Sequence, residues 1–210
     1  IAPTSDIVLV IDLSGSMTTS KLNAAKQAAG DFVNETLTDG NQNTRIAIVG
    51  FSDKVAGEYP SYPYSRFLDS ENSFYVNFKN SGEKQTLLNA IDEMWNEGGT
   101  HMQAGIKQAE ILLGQSTAAS KSIVLLGDGV PTYSYKPANY GQLAWDIDYN
   151  TVQIISDWFG NHEFDADMTL TTPITDFEYD ETIGTGSSAY ASHGYLSYPV
   201  SAWCNRHWET

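Results

Sequence analysis

The sequence predicts an α/β fold: a doubly wound, mostly parallel sheet carrying inserted segments. Three observations lead there. Two aliphatic runs, Ile7-Val8-Leu9-Val10-Ile11 and Ile123-Val124-Leu125-Leu126, read as strands covered on both faces. Segments with helical apolar spacing alternate with the strand-like runs, as in βαβ units. Each of the two runs leads into an aspartate, Asp12 or Asp128, at the strand end where such a sheet gathers its ligands.

The elements follow in order. Residues 6–12 form the first strand. Ser20 is expected to cap a helix through about Leu37, with Leu22, Ala25, Ala29, Phe32, Val33 and Leu37 on one side, and Asp39-Gly40-Asn41 stops it. Arg45 to Phe51 is the second strand, and Lys54 to Tyr59 a third, antiparallel at an edge. Residues 60–83 have no period and read as a surface excursion. Helical spacing returns near Gln85 with Leu87, Leu88, Ile91, Met94 and Trp95, and ends at Gly98-Gly99. A further helix runs from about His101 to Leu113, with Met102, Ile106, Ala109 and Leu113 inward, and residues 122–127 form another buried strand. Beyond 130 the pattern changes. Residues 133–210 are dense in Tyr, Trp, Asp, Ser and Thr, with a helix expected at Thr151–Phe159, weak strands at 167–172 and 194–200, and a flexible loop at 184–188.

Composition narrows the function. Acidic residues outnumber basic ones, 26 to 11, for a formal charge of -15 over 210 residues. That balance argues against nucleic acid, whose phosphates require clustered Lys and Arg, and against an anionic membrane surface. No apolar stretch is long enough to span a bilayer. The single cysteine, Cys204, excludes an internal disulfide framework and a cysteine zinc site, and leaves a partner outside the chain open. Ile1-Ala2-Pro3-Thr4 does not read as a natural start, so the chain is expected to be an excised or processed piece, and the lack of a leader says nothing about secretion.

Five positions carry the chemistry: Asp12, Ser14 and Ser16 in Asp12-Leu13-Ser14-Gly15-Ser16, Thr100 after Gly98-Gly99, and Asp128 before Gly129. All are hard oxygen donors suited to Mg²⁺, Mn²⁺ or Ca²⁺. Strand ends and helix starts would bring them to one crevice. With few formal charges among them, an ion there stays electrophilic and open to one more ligand. A nucleophilic role for Ser14 or Ser16 needs a base; His101 is the lone candidate nearby, and the Gly-x-Ser-x-Gly elbow is missing, so no enzyme activity is expected. His162, Glu163, Asp165 and Asp167 match no zinc or calcium spacing and read as a solvated acidic segment.

These five residues, in this order and on this frame, resemble the metal-ion-dependent adhesion site of von Willebrand factor type A domains, over about residues 5–132. The resemblance implies that Ser14 and Ser16 bind the ion directly, and that Thr100, Asp12 and Asp128 bind directly or through water. It implies one divalent cation, Mg²⁺ or Mn²⁺ foremost with Ca²⁺ as the alternative. It further implies an extracellular adhesion module whose partner, a matrix or host-surface glycoprotein, supplies an Asp or Glu carboxylate. Asp128-Gly129-Val130-Pro131-Thr132-Tyr133-Ser134-Tyr135 and the aromatic stretch after it are similar to tip adhesins of Gram-positive sortase-assembled pili, which places the chain on a bacterial surface, cell wall or pilus. On this reading residues 1–132 are the core, with a short insertion at about 60–83. Residues 133–210 are either an inserted aromatic and acidic arm or the incomplete remainder of the domain, since four strands are evident where such a domain has six. The aromatics of 133–210 suit a binding face or the small core of an arm. Two other functions stay open: an intracellular assembly module of the metal-chelatase kind, and a structural pilus subunit whose metal only stabilises the fold.

Overall fold

A computed structural model describes residues 3–52, 75–96, 98–128, 131–143, 145–147, 150, 153–156, 162–165 and 168–184. Strand β1 (Ser5–Asp12) lies at the centre of a four-stranded sheet of order β3-β2-β1-β4, between β2 (Thr44–Phe51) and β4 (Ser120–Leu126). Both neighbours are parallel to β1, with Ile7 beside Ile46 on one side and Ser122 on the other. The doubly wound frame predicted from the aliphatic runs is therefore present. The order of the strands reverses at β1, so the crevice for ligands opens at its carboxyl end.

Side-chain alternation sorts β1 between two cores. Leu9 and Ile11 point to the face covered by helices α1 (Thr19–Thr36) and α2 (Lys84–Asp92), where Leu22, Val33, Leu37, Leu87 and Ile91 meet them. Val8 and Val10 point to the opposite face, with Ala47, Val49, Phe51 and two residues of α3 (Met102–Gly114), Ala109 and Leu112. Residues Val8 to Ile11 have no exposed surface at all. Each buried aliphatic side chain contributes roughly 1.5–3 kcal/mol from removal of apolar surface from water, which is what fixes β1 as the rigid base of the crevice.

Several boundaries and faces differ from expectation. Helix α1 has Thr18 rather than Ser20 at its N-cap position, without a side-chain capping bond, and it closes through the Leu37 N–H on the Val33 carbonyl. The antiparallel edge beside β2 is filled by β3 (Tyr75–Lys79), inside the stretch read as an excursion; the expected strand at Lys54–Tyr59 lies outside the described residues. Helix α2 stops at Asp92, short of the expected Gly98. Residues 94–96 and 98–100 are not helical, and Gly98 takes φ 75°, a backbone open to glycine at no steric cost. In α3 the buried residues are Ala104, Gly105, Ala109 and Leu112, whereas Ile106 is 39% exposed. Small side chains let this helix approach the sheet closely, with Leu112 buried beside them and Met102 and Leu113 packed at the edge of the same core, while Ile106 and Ile111 turn outward. Strand β4, expected to be buried, is largely exposed, with Ile123 and Leu125 at 39% and 37%. It is an edge: among the described residues no strand pairs with its outer side.

Past residue 132 the described strands pair antiparallel and in nested order: β5 (Tyr133–Pro137) with β10 (Phe177–Gly184), β6 (Trp145–Ile147) with β9 (Met168–Leu170), and β7 (Gln153–Ser156) with β8 (His162–Asp165). The weak strand at 167–172 is present as β9. The helix expected at Thr151–Phe159 is replaced by strand β7 in the part of that stretch that is described, residues 153–156. Its Ile154-Ile155 pair favours extended backbone, and pairing with β8 overrides a weak helical period. The second acidic cluster falls partly on β8. The expected strand at 194–200, residues 185–188 of the loop, and Cys204 lie outside the described residues.

At the far end of the sheet, Asp6 is buried and grips Arg45 of β2 in a two-pronged contact, Nε to Oδ1 at 2.9 Å and Nη2 to Oδ2 at 2.6 Å. Ser116 also donates to Oδ2, at 2.5 Å. Burial pushes the Asp6 carboxyl up, but the bonds from Arg45 and Ser116 and the arginine charge outweigh it and hold it below the usual range. The stability this supplies is present above the ordinary aspartate value and is lost as pH falls below it. Arg45→Met is expected to cost about 2 kcal/mol, less than the roughly 3–5 kcal/mol of a fully buried pair, because Arg45 is half exposed and Ser116 remains. Urea denaturation at pH 7 and pH 3 checks this: the difference between variant and wild type should shrink at the lower pH.

Candidate metal centre

Asp12 ends β1 at the point where strand order reverses. Its carboxylate is fully buried, and Oδ1 accepts the Ser14 backbone N–H at 2.8 Å, which bends the chain into a turn. That turn aims both serines the same way: Ser14 Oγ and Ser16 Oγ share a hydrogen bond of 2.9 Å. Ser16 Oγ in turn donates to Asp128 Oδ1 at 3.0 Å. Asp128 follows β4, so a chain of four side chains bridges the ends of two adjacent parallel strands. Gly127 makes the approach possible, since a Cβ there would lie 3.0 Å from Asp12 Oδ2 and 3.0 Å from its Cβ.

The third segment, which carries Thr100, meets the serine turn at Gly98. The Gly15 N–H donates to the Gly98 carbonyl at 2.8 Å. Thr100 itself is buried; its N–H donates to Thr132 Oγ1 at 2.8 Å, and its carbonyl accepts from Thr132 and Tyr133 at 2.9 and 3.1 Å. Asp12, Ser14, Ser16 and Asp128 are thus joined side chain to side chain or through one amide, and Thr100 follows two residues after Gly98, whose carbonyl holds the serine turn.

Electrostatics separate the two carboxylates. Burial pushes the Asp12 carboxyl up against the opposing hydrogen bonds from Ser14, and the negative charge of Asp128 adds to the rise. Burial acts on Asp128 as well, but hydrogen bonds from Lys21 and Ser16 outweigh it and lower that carboxyl. Asp12 Oδ2 is a buried oxygen without a hydrogen-bond partner. Such an atom costs about 1–3 kcal/mol unless something satisfies it. A hard cation beside it would do so, and the surrounding hydroxyls and carboxylates are donors of the matching kind. The residues present therefore fit a divalent ion, and Asp12, Ser14, Ser16, Thr100 and Asp128 are those that would hold it. Among the described residues no group of three or more His, Cys, Asp or Glu side chains offers another metal cluster.

Two neighbours of the site escape sequence reasoning. Thr132, four residues after Asp128, supplies the hydroxyl that anchors Thr100. Lys21, in the first turn of α1, donates to Asp128 Oδ2 and to the Ser16 carbonyl. His101, the base considered for Ser14 and Ser16, is buried, with its ring 4.7 Å from that of Tyr135 and 6.5 Å from that of Tyr133. Tyr135 also meets Tyr179 edge-on at 5.0 Å, and Lys107 covers the Tyr179 ring at 4.4 Å. These described aromatics pack on one another and on α3 beside the crevice.

A sheet of this order with an oxygen-rich crevice at the carboxyl end of its central strand defines an α/β ligand-binding domain. The family model for the von Willebrand factor type A domain matches residues 6–163, and the chain belongs to that family. The minor fimbrium subunit Mfa5 of Porphyromonas gingivalis is 30% identical over 139 residues, covering 64% of this chain and 10% of that protein. The chain therefore spans about a tenth of the length of this curated relative. The crystal structure of the vWF domain of the type V pili tip protein Mfa5 from the same organism superposes with a TM-score of 0.53 at 25% identity, covering 75% of this chain and 46% of that one. The pilus adhesin SpaC from Lactobacillus rhamnosus GG, in its open conformation, shares the fold with a TM-score of 0.58 at 20% identity, over 95% of this chain and 22% of that one.

Proposed function

We propose that this chain is the partner-binding A domain of a bacterial pilus or fimbrial surface protein and that it acts without catalysis. It holds one divalent cation, Mg²⁺ or Mn²⁺ foremost, through Asp12, Ser14, Ser16, Thr100 and Asp128. An Asp or Glu carboxylate of a matrix or host-surface glycoprotein completes the coordination. The observation that carries this reading is the buried, unpartnered Asp12 Oδ2 within a cluster that holds only two carboxylates. The two carboxylates balance a divalent charge without surplus, so the ion remains attractive to a third. The pilus tip relatives support the surface location and the adhesive role. Among the described residues no helix is long and apolar enough to cross a membrane.

Binding of the chain to immobilised matrix glycoproteins tests the proposal. Retention is expected in Mg²⁺ or Mn²⁺ and is expected to vanish in EDTA and in Asp12→Ala. If EDTA and Asp12→Ala lower thermal stability but leave retention unchanged, the ion is structural and the adhesion reading falls.

A further inference from the structure

Lys21 is placed against the usual electrostatic preference. The first turn of a helix carries partial positive charge and disfavours a cation, and α1 has no acidic residue in that turn to offset it. The amine is drawn there by the candidate metal ligands: it donates to Asp128 Oδ2 and, at 3.3 Å, to the Ser16 carbonyl. With Ser16 Oγ on Oδ1, both oxygens of the Asp128 carboxylate are engaged. The lysine side chain is 52% exposed and that of Asp128 only 16%, so the amine has room to swing into solvent while the carboxylate stays in the crevice.

We propose, resting on the metal-centre reading above, that Lys21 is a tethered competitor of the divalent cation. Its ammonium and the ion contend for the Asp128 carboxylate, and ion binding requires the amine to leave. Two cations sharing that carboxylate at contact range would repel strongly. The competition has a selective consequence. A monovalent ion offers Asp128 no more charge than the ammonium does, whereas a divalent ion offers twice as much. Lys21 thus raises the threshold for occupancy and favours divalent over monovalent ions.

Mn²⁺ titration of the 210-residue chain, followed by the electron paramagnetic resonance signal of free Mn²⁺, tests this for wild type, Lys21→Gln and Lys26→Gln. Lys26 is the charge control: it lies on the same helix, and its amine meets the Asp92 carbonyl at 2.7 Å instead of the site. Lys21→Gln is expected to bind Mn²⁺ about tenfold more tightly, equivalent to ~1.4 kcal/mol. Lys26→Gln is expected to change affinity less than about twofold, because remote surface charge is screened. Tight binding by Lys21→Gln where wild type binds too weakly to measure supports the proposal equally. It is overturned if Lys21→Gln binds no more tightly than wild type, or if Lys26→Gln matches it. Where wild type still binds Mn²⁺ in that result, the metal-centre reading survives; where neither protein binds, both readings fall together.

Discussion

Asp12→Asn is expected to be more stable than wild type in EDTA and less stable in saturating Mg²⁺. The reversal follows from the carboxyl being held above its ordinary range mainly by burial, with one oxygen unsatisfied. For a carboxyl shifted upward, the folded state pays a penalty at pH above the ordinary aspartate value, and the penalty fades as pH falls to that value. The cost belongs to the charged form of the buried carboxyl, and a neutral amide of the same shape carries no charge to bury. The gain in EDTA should be about 1 kcal/mol, because the amide removes a buried charge but still leaves a polar atom in the place of Oδ2. Wild type gains about 2.7 kcal/mol from an ion at a hundred times its dissociation constant, and the variant, having lost the central carboxylate, gains almost nothing. Thermal unfolding by circular dichroism in the two buffers reads both signs. A variant less stable than wild type in EDTA would mean that protein contacts, not an ion, satisfy Asp12.

Gly105→Leu is expected to be the most damaging single change outside the ligands. Gly105 lies on the buried face of α3, where an added Cβ would stand 2.7 Å from Phe51 Cδ1 and 3.0 Å from Val10 Cγ1. Phe51 and Val10 are both fully buried, so neither can move aside without opening the sheet. Leu is a better helix former than Gly, by up to about 1 kcal/mol, and that gain opposes the clash. Overpacking of this kind costs about 3 kcal/mol, so the clash wins. The melting temperature should fall by several degrees, at about 2–4 °C per kcal/mol for a domain of this size. The damage should also reach the site. Helix α3 begins at Met102, next to His101, whose N–H donates to the Ser52 carbonyl at 2.6 Å, and lifting the helix pulls on Thr100 beside it. Mn²⁺ affinity should therefore fall together with stability. A variant with unchanged melting temperature would show that the helix is not seated as closely as described.

The parts of this fold that were legible in the sequence are those where one physical signal dominates. Ile7 to Ile11 could only be a strand covered on both faces, and Asp12 and Asp128 followed from being at strand ends. What could not be read depends on non-local packing. Ile106 and Ala109 have the same helical spacing either way, and only the nearness of Phe51 decides that Gly105 faces the sheet. Ile123 and Leu125 look buried by composition, yet their exposure depends on what pairs with the outer edge of β4. Ile154 and Ile155 read as helical in sequence because no local pattern announces their pairing with β8. Within the site, the motif residues carry a signature, whereas Lys21 and Thr132 act through contacts at separations of 107 and 32 residues and carry none.

Anomalous scattering from a crystal of this chain grown with Mn²⁺ tests the central claim most directly. A single manganese peak is expected, bonded to Ser14 Oγ and Ser16 Oγ, with Asp12, Thr100 and Asp128 around it at direct or one-water range. A well-ordered crevice with no peak at saturating Mn²⁺, or a peak bound elsewhere on the chain, would contradict the account.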